Sequence, residues 1–175
     1  MNLRFIEASN EYKEGIIEML DEWKHFNDTH NGANRSPSAI FIDYSDFDNY
    51  IYQLNMASKK VTEPKVPSST YFVLDEDRNV FVGAISIRHY LNEGLRNGGG
   101  HIGDGVRPSE RRKGYGTEII RLGVIKAHEL GIKDIMISAN EINIGSKKAI
   151  INNGGIYERT VMEDGIPLEI YWIKE

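Results

Sequence analysis

Arg111-Arg112-Lys113-Gly114-Tyr115-Gly116-Thr117 puts three cations and two glycines directly ahead of an amphipathic segment that opens at Glu118-Ile119-Ile120. The first turn of a helix leaves backbone N–H groups without intrahelical partners, and the peptide dipoles add roughly half a positive charge there. Gly114 and Gly116 carry no Cβ, so a ligand can approach the main chain itself. That combination is a cradle for a phosphate. Upstream, an apolar run from His101 to Val106, punctuated by Gly103 and Gly105, delivers the chain to the turn through Arg107 and Pro108. Three groups on or just before this run can accept a proton. They are His101, whose intrinsic pKa of about 6.5 suits work at neutral pH, and the acids Asp104 and Glu93.

Composition sets the frame for this chemistry. With 175 residues, 40% hydrophobic and 27% charged, the chain is expected to form a single domain over 1–175 with its own core. A chain of this size buries roughly 70% of its unfolded surface and needs no covalent staples. Cysteine is absent, which removes disulfides and thiol nucleophiles and fits a reducing, cytoplasmic setting. Met1–Asn10 lacks the basic and apolar segments of a signal peptide, and no apolar run nears the roughly 20 residues of a membrane span. A net charge of −5 argues against nucleic acid as a partner, because that function calls for a basic face. The cations of 107–113 are a local exception on an acidic chain. They favour a small anionic ligand, and no metal site is expected.

The elements that must position the turn can be read in order. Leu3, Phe5, Ile6 and Ala8 open as a strand. Tyr12, Ile16, Met19, Leu20 and Trp23 recur at helical spacing opposite Glu14, Glu18 and Glu22. After a polar loop over Asn27–Ser38, a second helical pattern starts near Tyr44 or Ser45 and carries Phe47, Ile51 and Leu54 on one side. Tyr71–Leu74 and Val80–Ile87 flank Asp75–Asn79 as a hairpin, and Asn92–Gly100 is a glycine-rich loop. A strand over His101–Arg107 leads into the turn. The helix after it runs to about Leu130, with Ile120, Gly123, Val124, Ala127 and Leu130 inward and Gly131 as its C-cap. A strand over Ile132–Ser138, a short helix over Gly145–Asn153 and a hairpin of Ile156–Met162 with Leu168–Ile173 complete the chain. The order β-α-α-β-β-β-α-β-α-β-β implies an α+β fold, a mixed and mostly antiparallel central sheet with helices on both faces.

Several phosphate ligands could use such a turn. No G-x-x-x-x-G-K-[ST] occurs, and a dinucleotide fingerprint needs a third glycine and repeated βαβ units. No residue stands at the offsets that would hold Mg²⁺ for a nucleotide. Arg111-Arg112-Lys113-Gly114-Tyr115-Gly116 instead resembles the pyrophosphate signature R/Q-x-x-G-x-G/A of the Gcn5-related N-acetyltransferase (GNAT) superfamily. The resemblance extends to the element order from Leu3 to Ile173, to Val106 and Pro108 ahead of the motif, and to Asn143 after the strand Ile132–Ser138. More narrowly, Ile87–Glu93 and Gly99–Gly103 are similar to a group of bacterial acetyltransferases of undefined substrate.

The resemblance implies acetyl-CoA as donor and transfer of its acetyl group to a primary amine of a small molecule or peptide in a ternary complex. It implies that Gly105, Val106 and Arg107 offer a strand edge to the pantetheine arm. Backbone N–H groups of Arg111, Arg112, Lys113, Gly114, Tyr115, Gly116 and Thr117 would take the pyrophosphate. Asn143 and Ser146 would line the thioester end, and the Val106 N–H would face the oxyanion. Many members place a proton-donating tyrosine where this chain has Ile150, which cannot donate. The base is left open among His101, Asp104 and Glu93, each with a structural reading as sheet histidine, strand residue or solvated loop acid. Asp43, Asp46 and Asp48 among Tyr44, Tyr50 and Tyr52 read either as an acidic, aromatic wall for a cationic amine or as a helix start favoured by its dipole. The missing tyrosine keeps a second function open, an acyl-CoA-binding sensor with little or no catalysis. The assembly is expected to be a monomer or a homodimer.

Overall fold

Hairpin turns and strand alternation resolve into two antiparallel half-sheets rather than one continuous sheet. The computed structural model describes residues 1–175 apart from Ala33 and Asn34, which belong to the loop expected over Asn27–Ser38 and lie outside the described residues. In the first half-sheet β1 (Leu3–Ile6), β2 (Ser68–Asp75), β3 (Val80–Arg88) and β4 (Ile102–Val106) pair in that order. In the second, β5 (Ile135–Asn140), β6 (Ile156–Glu163) and β7 (Ile166–Ile173) lie in the order β5-β7-β6. Asp164 and Gly165 join β6 to β7 with φ of 50° and 77°, the positive values that a two-residue hairpin turn demands.

Helices cover both faces, as the α+β reading expects. On one face α1 (Lys13–Thr29) and α2 (Phe47–Lys59) bury Ile16, Met19, Leu20, Trp23, Phe47, Tyr50 and Leu54 against Phe72, Leu74, Phe81 and Ala84. On the other, α4 (Tyr115–Glu129) and α5 (Ile144–Asn152) bury Ile119, Ile120, Ala127 and Ile150 against Val73, Ile85, Ile87 and Ile102. Truncating one of these wholly buried isoleucines to alanine costs about 2–5 kcal/mol. Among the described residues no helix is long and apolar enough to cross a membrane.

Local chemistry moved several boundaries. The Asn92 side chain accepts the Leu95 N–H at 2.9 Å and winds one turn, α3 (Glu93–Arg96), inside the expected loop. The Asp46 carboxylate takes the Asn49 N–H and starts α2 later than Tyr44. Helix α4 starts at Tyr115, not Glu118, so Gly116 and Thr117 belong to its first turn. Leu130, expected inward, is the C-cap and is exposed, while Tyr115 and Ile119 fill the core instead.

The half-sheets meet at His101, just ahead of β4. Its N–H donates to the Met136 carbonyl at 2.8 Å, and its Nδ1 accepts the Met136 N–H at 3.0 Å. Beyond this point β4 and β5 share no ladder among the described residues, and the strands part. Burial, helped by Arg96 and Arg88, lowers the His101 pKa to about 4, so the imidazole is neutral at pH 7 with its Nδ1 lone pair committed. The unfolded chain takes up a proton near pH 6.5 while the native state resists until about 4, so stability is lost as pH falls through that window. About 2–3 kcal/mol is expected to drain away there. His101→Gln should flatten that slope in chemical denaturation at stepped pH.

Candidate functional site

The turn between β4 and α4 is a main-chain structure first. Gly114 takes φ 88° and Arg112 φ 61°, which curls the chain so that α4 starts abruptly. Among the described residues no side chain caps α4, whereas Asp46, Asn92 and Asn143 cap α2, α3 and α5. The N–H groups of Tyr115, Gly116 and Thr117 are therefore left for an external acceptor. A Cβ on Gly116 would meet only Val106 Cγ2, at 3.6 Å, and one on Gly114 only Met1 Cε, at 3.9 Å. The cradle is open, and it fits an anion.

Two sets of carboxylates hold this turn from outside. Glu110, buried at 6% exposure, receives Arg78 Nη1 at 2.7 Å and Nη2 at 3.1 Å, and Lys113 Nζ at 3.0 Å. These partners, Arg78 first, hold its carboxyl down at about 2. Arg78 also donates to the Tyr115 hydroxyl at 2.8 Å, which donates to buried Asp75 at 2.6 Å. On the other side the Glu22 carboxylate accepts the Ser109 N–H at 2.7 Å and Arg107 Nε at 2.5 Å, while Glu18 takes Arg107 Nη2 at 2.8 Å. Sequence reasoning missed all of these partners, since nothing in the chain marks which distant carboxylate will meet which arginine.

Several residues assigned to the ligand are accordingly engaged elsewhere. Arg107 is turned inward, its N–H spent on the Val82 carbonyl and its own carbonyl on the Glu110 N–H. The Tyr115 ring is core, so only its main chain faces the cradle. Lys113 is paired with Glu110, and Arg112 is exposed. Arg111 stacks its guanidinium 4.5 Å from the Phe26 ring and donates Nε to the Val106 carbonyl at 3.3 Å. The Thr117 carbonyl accepts from Asn153 at 2.9 Å, tying α4 to α5.

Register decides which groups line the parting of β4 and β5. Arg107 N–H bonds to Val82 and Arg88 N–H to His101, so in the antiparallel ladder residues 103, 105 and 107 direct their main chain at β3. Asp104 and Val106 direct theirs at the open edge, so that edge is presented by them and not by Gly105 or Arg107. Burial pushes the Asp104 carboxyl up to about 6, and a hydrogen bond from its own N–H, on that edge, restrains the rise. Glu93 is exposed at the start of α3.

At the β5 end, Asn143 Oδ1 accepts the Ser146 N–H at 3.1 Å and caps α5, with the Ser146 side chain partly buried. Ile150 is fully buried and packs in the core. Of the two readings of Asp43–Tyr52, the helix start is the one the fold uses. Asp43 takes the Ser45 N–H, Asp46 caps α2, Asp48 accepts from Asn10, and the buried Tyr50 hydroxyl donates to the Ala39 carbonyl. Among the described residues no cluster of histidine and acidic side chains could hold a metal.

Solved structures share this architecture. A putative ribosomal-protein-serine acetyltransferase from Vibrio cholerae is 12% identical with a TM-score of 0.66, covering 100% of this chain and 95% of its own. The ribosomal-protein-S5-alanine acetyltransferase from Vibrio fischeri is 12% identical with a TM-score of 0.69, covering 98% and 91%. The microcin C7 self-immunity acetyltransferase, solved with acetyl-CoA and AMP, is 15% identical with a TM-score of 0.67, covering 99% and 92%. Comparison with curated proteins gives no match. The model of the acetyltransferase (GNAT) domain matches residues 21–156, most of the chain and all of the β4–α4 turn, so the protein belongs to the GNAT acetyltransferase family.

Proposed function

We propose that residues 1–175 act as one N-acetyltransferase domain that moves the acetyl group of acetyl-CoA to a primary amine of a small molecule or peptide, by direct attack in a ternary complex. The observation that carries this reading is a pair of main-chain donor sets with no partner among the described residues. The first is the open β4 edge at Val106, beside Asp104, whose own N–H turns to its carboxylate, and the second is the uncapped start of α4. A peptide-like pantetheine arm is matched to the first part and a pyrophosphate to the second. The bound acetyl-CoA of the microcin immunity acetyltransferase supports the same choice of donor.

In this scheme the Val106 N–H faces the carbonyl oxygen as it becomes an oxyanion. Asp104 accepts the proton of the attacking amine, directly or through water at the strand edge; its raised pKa suits that task better than the committed nitrogen of His101 or the exposed Glu93. The amine nitrogen bonds to the acetyl carbon, the carbon–sulfur bond breaks, and the thiolate takes a proton. Ile150 is sealed in the core, so that proton comes from water or from the Ser146 hydroxyl. The absence of a built-in acid there is also the observation that favours the second reading, an acyl-CoA-binding sensor. Thiol release from acetyl-CoA across a panel of amines separates the two, because a sensor binds without turnover.

Gly116→Val should weaken acetyl-CoA binding by roughly tenfold or more while shifting Tm little, since its Cβ has room but the added methyls enter the cradle. Unchanged affinity by calorimetry would remove the pyrophosphate from this turn. Asp104→Asn should lower kcat on the order of a hundredfold and abolish the rise in rate through about pH 6. The same variant should gain stability above pH 6, because burial of the charged carboxylate opposes folding there. An Asp104→Asn enzyme with an unchanged pH profile would exclude Asp104 as the base.

A further inference from the structure

His101 carries a group that the joint between the half-sheets does not use. Its N–H goes to the Met136 carbonyl, its carbonyl accepts the Arg88 N–H at 2.7 Å, and its Nδ1 accepts the Met136 N–H. A neutral imidazole that accepts at Nδ1 carries its proton on Nε2. That Nε2–H is the one polar group of His101 left over, and among the described residues nothing accepts from it, although the residue is only 6% exposed. A nearly buried donor without an acceptor is uncommon, because leaving it so is costly.

The same histidine lines an open cavity of about 380 Å³. The cavity lies behind the joint, at the start of β5 and away from the parted ends of the strands. Residues after β3, the short helix α3, the connection from α4 to β5 and Trp172 of β7 bound it. Most of the polar groups around it are committed. His89 Nε2 shares a hydrogen bond of 2.8 Å with the Ser69 hydroxyl, and the Trp172 indole N–H donates to Glu158 at 2.9 Å. Asp134, the one carboxylate of the lining, is held by Lys174 at 2.9 Å.

Two cations of the lining, Arg96 and Lys133, hold no carboxylate among the described residues. Both are exposed, and two solvated cations alone would mean little. Here they stand around the inward donor, and Arg96 is near enough to act on the His101 imidazole. Helix α4 ends close by, and its negative pole would oppose an anion. The carbonyls of Lys126, Ala127 and His128 are tied back, however, by the N–H groups of Leu130, Gly131 and Ile132. Between the polar groups the walls are flat and apolar, with Tyr90, Leu91, Ile132 and Trp172.

We propose that this cavity binds a small organic carboxylate with a flat apolar body, its carboxylate accepting the His101 Nε2–H between Arg96 and Lys133 and its body lying against Tyr90 and Trp172. The site is separate from the cradle at α4 and does not rest on the transferase reading. The imidazole that holds the ligand also holds Met136, and an acceptor on Nε2–H polarises the ring so that Nδ1 accepts more strongly. An occupant therefore fastens the joint from which β4 and β5 part.

The test titrates benzoate into the full chain, with benzamide, acetate and inorganic phosphate in parallel, followed by residue-resolved NMR. Benzoate should shift the His101 ring and the amides of Ile132, Lys133 and Met136 saturably, with a Kd of about 1 mM or below. Acetate should move the same signals more weakly, for want of an apolar body. At benzoate ten times above its Kd, hydrogen exchange of the Met136 N–H should slow about tenfold, because opening that bond dismantles the site. Arg96→Gln and Lys133→Gln alter exposed side chains, so the fold should survive, and each should weaken benzoate about threefold. Shifts that never saturate, benzamide bound as well as benzoate, or phosphate bound as tightly would each overturn the carboxylate site. So would benzoate shifts confined to Gly114–Thr117, which would put the anion in the cradle, or Met136 exchange unchanged at saturation.

Discussion

A strand edge inside a protein has to be answered for. Every main-chain N–H and C=O that leaves water without a partner costs about 1–3 kcal/mol, so sheets close unless something prevents it. Here the preventing element is the contact at His101, which joins β4 to β5 through Met136 and lets the strands diverge beyond it. Were the ladder to continue, Asp104 and Val106 would spend their amides on β5, and no slot would exist for an extended ligand. Gly100 is part of the same device, since it turns at φ 64° and a Cβ there would come within 2.5 Å of the Met136 carbonyl.

What the parted edge offers, the turn after it completes, and its electrostatics are less simple than its row of cations. Glu110 neutralises much of Arg78 and Lys113, and Glu18 and Glu22 neutralise Arg107. The positive potential that remains at the cradle comes chiefly from the start of α4 and from the exposed Arg112. Ion pairs of this kind contribute little net stability, because desolvation offsets their attraction. Their value lies in geometry. They fix a loop of unusual backbone angles against the hairpin on one side and α1 on the other.

Much of this was legible in the residues. The buried stripe Ile16–Trp23 and the strands around Asp75–Asn79 follow from periodicity, which is a local property. The β4–α4 turn was legible because glycine and helix-start chemistry act within a few residues. The first turn of α4 was misread because Gly116 and Thr117 look like loop but are tolerated at N-terminal helix positions. The partners of Arg107, and the choice between the two readings of the aspartates near Tyr44, were out of reach for a different reason. A charged side chain in sequence has no visible partner, and here the partners stand 85 and 89 residues away for Arg107. The inward face of β4 was likewise unreadable, because which residues meet the open edge depends on a register set by β3.

The anchoring of the turn to the Asp75–Val80 hairpin has a kinetic side. A phosphate loop that orders only around its ligand loses affinity to that ordering and slows its own association. This one is cast during folding, from three separate stretches of chain, the turn at Glu110, the hairpin with Asp75 and Arg78, and α1 at Glu22. The donor meets a finished mould. Changes at the hairpin tip, far from any atom that reacts, should then be felt chiefly as a change in how long the donor stays.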